Sequence, residues 1–219
     1  MAGLGSMPTL YNKIQGQSLE RLAALSDGIF AVAMTLLVLD LHVPVRDLVH
    51  SEGQLRAALL VLTPQFVAYL MSCLPLGIFW AGQQTQLNYL SRGNRDLTWI
   101  HIAFLFAVSV LPFSTRLLAE FIQFRTALVL YWLNVFAPGA ILYCSWRYAT
   151  RAALLKEDVS LEIRGAIRRR IVFAQALYAL GAALCIFSTY ASIGFIVVVQ
   201  LNYVIAPRIK RDGPSSQKR

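Results

Sequence analysis

The sequence predicts an all-α membrane protein with six transmembrane helices per chain and both termini in the cytoplasm. Three observations carry that reading. The chain of 219 residues is 57% apolar and only 14% charged, against roughly 45–50% and about 25% in soluble domains; its mean hydropathy is +0.57. Its apolar residues gather into long runs. Its basic residues sit between those runs and are shared unevenly among the gaps. The many aromatic and branched residues exclude a disordered chain. A net charge of +9 would suggest nucleic acid in a soluble domain. Between apolar runs it points to a lipid bilayer instead, with no nucleic-acid partner.

Taken in order, the first stretch runs from about Leu19 to Leu41 and the second from about Ala57 to Ala81. The third spans roughly Leu97 to Leu118 and the fourth roughly Thr126 to Trp146. A charge-free run from Ile171 to Ala206 holds the fifth and sixth. As one helix it would be about 54 Å long, and the hydrocarbon core is only about 30 Å thick. The run therefore folds back, with its corner expected at Ser188–Ser192 followed by Gly194, which leaves two short arms. Pro64, Pro75, Pro112 and Pro138 all fall within these stretches; each removes a backbone donor and invites a kink. The domain reading is a cytoplasmic N-terminal segment over 1–18, a six-helix transmembrane domain over 19–207, and a basic, disordered cytoplasmic tail over 208–219. The polar segment from Thr150 to Arg170 reads as a short cytoplasmic helix or loop. The first run holds a serine and two aspartates and no small-residue cleavage site, so it is read as a helix rather than a cleaved leader.

Charge tests the topology independently. With six crossings and an internal N-terminus, Arg46, Arg56, Arg116 and Arg125 fall outside, and the other 16 of the 20 Lys and Arg fall inside. That asymmetry obeys the positive-inside rule. Five crossings would put the basic tail outside.

Most of the membrane stretches carry little chemistry. Cys73, Cys144 and Cys185 lie in apolar runs without metal or redox spacing and read as buried, reduced packing residues. His42, His50 and His101 are scattered singly and read as solvated loop or interface residues. There is no His-Glu-x-x-His, no Gly-x-Ser-x-Gly and no Gly-rich phosphate cradle, so an enzyme is not expected, and neither is a cofactor or resident metal. The first stretch differs. Asp27 lies inside it, and a carboxylate at membrane depth needs a partner. Arg21, six residues away, is about 240° around the helix and off the three-or-four-residue spacing of helical ion pairs. Trp80 or Gln83 is the expected donor. Asp27 then reads as a structural clamp, or as a group near a watery mouth. Ala24, Gly28, Ala31 and Thr35 form a small-residue face suited to close helix packing. Beside it run Val32, Leu36 and Leu39, with Arg21 on the same azimuth. By periodicity that apolar stripe faces lipid or a neighbouring helix.

The run Arg21-x-x-x-Leu25-Ser26-Asp27-Gly28, continued through Ile29 to Leu39, closely resembles the signature of the transmembrane-protein-175 family of potassium channels, in its prokaryotic form. Trp80, late in the second helix, and Leu111-Pro112-Phe113, late in the third, extend the likeness. Leu25 stands where the family has phenylalanine. Gln83 and Gln84 stand where it has two histidines, so a titrating role there does not carry over.

The resemblance implies a homotetramer in a prokaryotic plasma membrane, passing potassium ions along a pore lined by four copies of the first helix. It places the pore constriction at Val32, Leu36 and Leu39 and the filter-associated polar layer at Thr35. It gives Arg21, Ser26, Asp27, Gly28 and Trp80 the task of orienting the helix. No Thr-Val-Gly-Tyr-Gly filter is present. Rings of hydrocarbon have no lone pairs with which to replace an ion's water, so modest preference for potassium over sodium is expected, with a neck that gates by dewetting. The alternative is a secondary transporter, which favours inverted repeats and broken helices around a central polar site.

Overall fold

α1 (Leu19–Leu39) carries the signature run and buries Leu22, Ser26, Phe30, Ala33 and Leu37, a three-and-four spacing that defines one face. The computed structural model describes residues 18–39, 41–46 and 49–205. Within them every regular element is a helix. The expectations for the segments over 1–17 and 208–219 lie outside the described residues.

α2 (Glu52–Val61) starts where the Ser51 hydroxyl accepts from Gln54 N, and it buries none of its side chains. α3 (Thr63–Asn88) follows, with Pro64 in its first turn. Pro64 therefore starts a helix instead of kinking one, because its missing N–H would be unpaired there in any case. The second stretch expected from Ala57 is thus two helices, and α3 alone is about 39 Å long. α4 (Arg95–Ser109) is capped by Asn94 Oδ1, which accepts from Leu97 N at 2.9 Å. It breaks at Val110, and α5 (Leu111–Glu120) resumes with Pro112 in its first turn. α6 (Arg125–Arg151) runs through Pro138 without a break, as α3 does through Pro75.

α7 (Leu161–Ala183) is capped by Ser160 and continues into one 3-10 turn, Leu184–Ile186; α8 (Thr189–Ile205) returns. Two expectations change here. The segment Thr150–Arg170 is no separate helix or loop: α6 takes its first residues and α7 its last, leaving 152–160 between them. The fifth arm is consequently long, because Arg164 and Arg168–Arg170 belong to its helix. The corner falls at Phe187–Ser188, and Gly194 lies within α8. Among the described residues, five segments are long and apolar enough to cross a membrane: Leu19–Leu39, Thr63–Asn88, Arg95–Glu120, Arg125–Arg151 and Leu161–Ile186. Thr189–Val204 is apolar but shorter.

The core joins α1 to the bundle. Phe30, Ala33 and Leu37 pack with Met71 and Phe79 of α3 and Phe104 of α4. The Phe104 ring lies 6.0 Å from Phe30 and meets Phe79 edge-on at 6.5 Å. A second cluster, including Leu22, Leu87, Leu97 and Leu154, closes the end that holds the basic loops. There Ser91 N donates to Leu154 O at 2.9 Å and Lys156 N to Tyr89 O at 3.0 Å, tying two turns together. α1 packs on α3, α4 and α5, whereas α7 and α8 dock on α3 and α6. Gly181 lets α7 and α8 approach: a Cβ there would lie 2.7 Å from Ile196 Cγ1. Ser192 Oγ on α8 also donates to Gly181 O at 2.5 Å. Gln200 Nε2 donates to Met71 O at 3.0 Å, and Tyr131 Oη donates to the same carbonyl. Without water, such groups must find partners inside the bundle. Of the cysteines, Cys185 is buried and Cys73 half-buried, but Cys144 is exposed on α6, correcting its reading as a buried residue.

Candidate functional site on the first helix

α1 presents two faces of opposite character. Its buried residues centre on one side of the helix, and on the 100° wheel Val32, Thr35 and Leu39 lie on the other. Val32 is 56% exposed, Leu36 45% and Leu39 73%. Ala24, Gly28, Ala31 and Thr35 are exposed as well, and a Cβ added at Gly28 would meet nothing within 4 Å. Among the described residues, the small-residue face therefore packs against no other helix. Thr35 Oγ1 donates back to Val32 O at 2.9 Å and to Ala31 O at 3.0 Å. The hydroxyl proton is thus turned toward the helix, and the oxygen lone pairs are left for another donor or a cation.

Adjacent residues of α1 read adjacent strips of α3. Asp27 Oδ1 accepts from Trp80 Nε1 at 2.7 Å and from Gln84 Nε2 at 2.9 Å. Trp80 and Gln84 are four residues apart and share a face. Gln83, the other expected donor, is turned by about 100° and meets Ser26 instead. Ser26 Oγ donates to Gln83 Oε1, and Gln83 Nε2 lies 3.1 Å from His101 Nδ1. His101 Nε2 in turn lies 3.2 Å from Ser145 Oγ. Since Gln83 accepts at Oε1, its Nε2 is the donor to Nδ1. A neutral imidazole then carries its proton on Nε2 and donates to Ser145. This chain of four side chains crosses α1, α3, α4 and α6, and Ser26, Gln83 and His101 are completely buried. Arg21 is exposed and makes no ion pair among the described residues.

His101 corrects its sequence reading as a solvated or interface residue; His42 and His50 are exposed. The signal for His101 was the one used for Asp27, a titratable side chain inside an apolar run. Its position four residues past Leu97 concealed it by suggesting the membrane surface. Gln84 was marked only as a replacement of a family histidine, and Ser145 had no signal of its own.

Taken together, the fold and this site define a helical, multi-spanning membrane protein whose first helix is anchored by buried polar contacts along one side and uncovered along the other. The family model described as "Endosomal/lysosomal potassium channel TMEM175" matches residues 21–112, the stretch from Arg21 to Pro112. A relative from Streptomyces collinus, "Potassium channel B446_29190", is 31% identical over 85% of this chain and 84% of its own. "Potassium channel Cha6605_3372" from Chamaesiphon minutus is 31% identical over 84% of this chain and 93% of its own. The crystal structure of "a lysosomal potassium-selective channel TMEM175 homolog" from Chamaesiphon minutus superposes with a TM-score of 0.75 at 28% identity. It covers 86% of this chain and 97% of that one. The chain belongs to the TMEM175 family, which is a family of channels and not of enzymes.

Proposed function

We propose that the chain is a subunit of a passive, potassium-permeable channel in the plasma membrane of a prokaryote. Four copies surround one axis, each crossing six times with both termini in the cytoplasm and each contributing α1 to the pore. The observation that carries this is the uncovered face of α1 in a chain of this family. Val32 and Leu39 lie away from every side chain that α1 buries, and Leu36, at the edge of the buried face, is itself exposed. The small residues beside them have no helix packed on them among the described residues, and a neighbouring α1 would supply one.

Rings of Val32, Leu36 and Leu39 form a narrow hydrocarbon neck that excludes ions when it empties of water. Rings of Thr35 oxygens supply a polar step within it. Potassium holds its hydration less tightly than sodium and passes more readily, with modest selectivity and no cofactor beyond the permeant ion. Trp80 and Gln84 both donate to Asp27 Oδ1, so Asp27 fixes the rotation of α1 while Ser26 fixes its depth. Gly28 keeps the neighbouring surface flat. Arg21 stands on the pore azimuth at the cytoplasmic end.

The test is potassium-driven flux in proteoliposomes, comparing wild type with Val32→Ala and Leu39→Ala. Passive flux that favours potassium and changes in rate or selectivity in both variants supports the reading. Folded, reconstituted protein with no flux in any variant overturns it.

A further inference from the structure

Two crevices open beside the polar end of α7, and Arg170 and Tyr203 line both. One, of about 80 Å³, lies among α3, α6, α7 and α8. The other, of about 490 Å³, lies between α7 and α8, with Phe173, Leu177 and Val198 as its hydrocarbon walls. Among the described residues, no acidic side chain lines either crevice. Arg170 is exposed, so a guanidinium stands at the shared rim over an apolar floor.

The smaller crevice holds two amides with unused acceptors. Gln86 is 2% exposed; its Nε2 donates to Leu142 O at 3.0 Å, which fixes the amide, and its Oε1 has no partner. Gln175 Oε1 has none either. Its amide fills the notch over Gly139, where a Cβ would meet Gln175 Nε2. An unpaired carbonyl oxygen in hydrocarbon surroundings is costly, and an occupant that brings a hydroxyl or ammonium donor relieves it. A phosphate for the guanidinium, a donor for the amides and an acyl chain for the floor are the three parts of one kind of molecule. α7 and α8 dock on α3 and α6 rather than on α1, so the proposed pore does not cover this side.

We propose that the paired crevices bind an anionic glycerophospholipid from the leaflet on the side of the basic loops. Its phosphate pairs with Arg170, its headgroup hydroxyl turns toward Gln175 and Gln86, and one acyl chain lies along Phe173 and Leu177. Basic pockets between membrane helices recognise such headgroups by charge.

The experiment is native mass spectrometry of the intact detergent-purified protein, titrated separately with dioleoyl phosphatidylglycerol and dioleoyl phosphatidylcholine. Wild type retains the glycerol lipid preferentially. Arg170→Gln weakens that retention about tenfold, the worth of one charge-assisted contact. Arg168→Gln, exposed and outside both linings, leaves it unchanged. Ala174→Trp, which fills the smaller crevice and keeps the charge, also loses the preference. Equal retention of the two lipids by wild type overturns the proposal, as does unaltered retention by a normally melting Arg170→Gln. Displacement of the lipid by inorganic phosphate would make this a soluble-anion site and overturn it too. Retention needs no ion flux, so its failure is distinct from failure of the channel reading.

Discussion

Replacing Gln83 by leucine tests the claim that a buried polar chain anchors α1. Gln83 is completely buried and joins Ser26 to His101, both also completely buried. Leucine has nearly the same volume but ends both contacts, leaving the Ser26 hydroxyl and His101 Nδ1 without that partner. Hydrogen bonds between membrane helices are worth about 0.6 kcal/mol on average and up to about 1.7. Two of them give an expected loss of about 1.2 to 3.4 kcal/mol. Gln84→Leu is the internal control. It removes one contact to Asp27, which keeps its bond from Trp80, and its expected loss is about 0.6 kcal/mol. Equilibrium unfolding in mixed micelles, followed by circular dichroism, reads both variants on one scale. If Gln83→Leu loses no more than Gln84→Leu, the buried chain does not anchor the helix.

Three further outcomes are expected. Gly181→Val drives a side chain into Ile196, where even a Cβ would sit 2.7 Å from Cγ1; about 1–3 kcal/mol of stability is lost, seen as a lower melting temperature. A double-mutant cycle of Trp80→Phe with Asp27→Ala gives a coupling of about 1 kcal/mol, and additive single effects would remove Trp80 as the partner that holds Asp27. In intact cells, a membrane-impermeant maleimide labels Arg125→Cys from outside and leaves Arg151→Cys unlabelled, as six crossings with internal termini require.

Much of the fold is legible in the sequence because bilayer thickness and the cost of burying charge leave few solutions. The apolar runs and the clustering of basic residues in the gaps between them follow from those two constraints. Helix ends were less legible. Arg164 and Arg168–Arg170 read as part of a separate cytoplasmic helix or loop because they are charged, yet α7 begins at Leu161, and long cationic side chains reach the membrane surface from within a helix. Pro64 read as a kink because its position within the first turn of α3 depends on a boundary that composition does not mark. At the site, the Asp27–Trp80 contact could be anticipated, since an aspartate in an apolar helix demands a donor. Gln84 rather than Gln83 joins Trp80 on Asp27 because adjacent helical positions differ by about 100°, and only the packing of α1 on α3 decides which of them faces Ser26. The exposed Val32, Leu36 and Leu39 stripe was visible as a stripe. Periodicity alone does not say whether lipid, a helix or a pore covers it.

The most direct measurement is current through single cysteines on α1. With Cys73, Cys144 and Cys185 replaced by serine, Val32→Cys and Leu39→Cys are reconstituted in planar bilayers under a potassium gradient and exposed to a small water-soluble thiol reagent. If α1 lines the conduction path, the reagent blocks current in both variants and leaves the cysteine-free background and a Cys144-only protein conducting. Persistent, unmodified current in both variants, with intact labelling of the protein after denaturation, would place that face of α1 away from the ions.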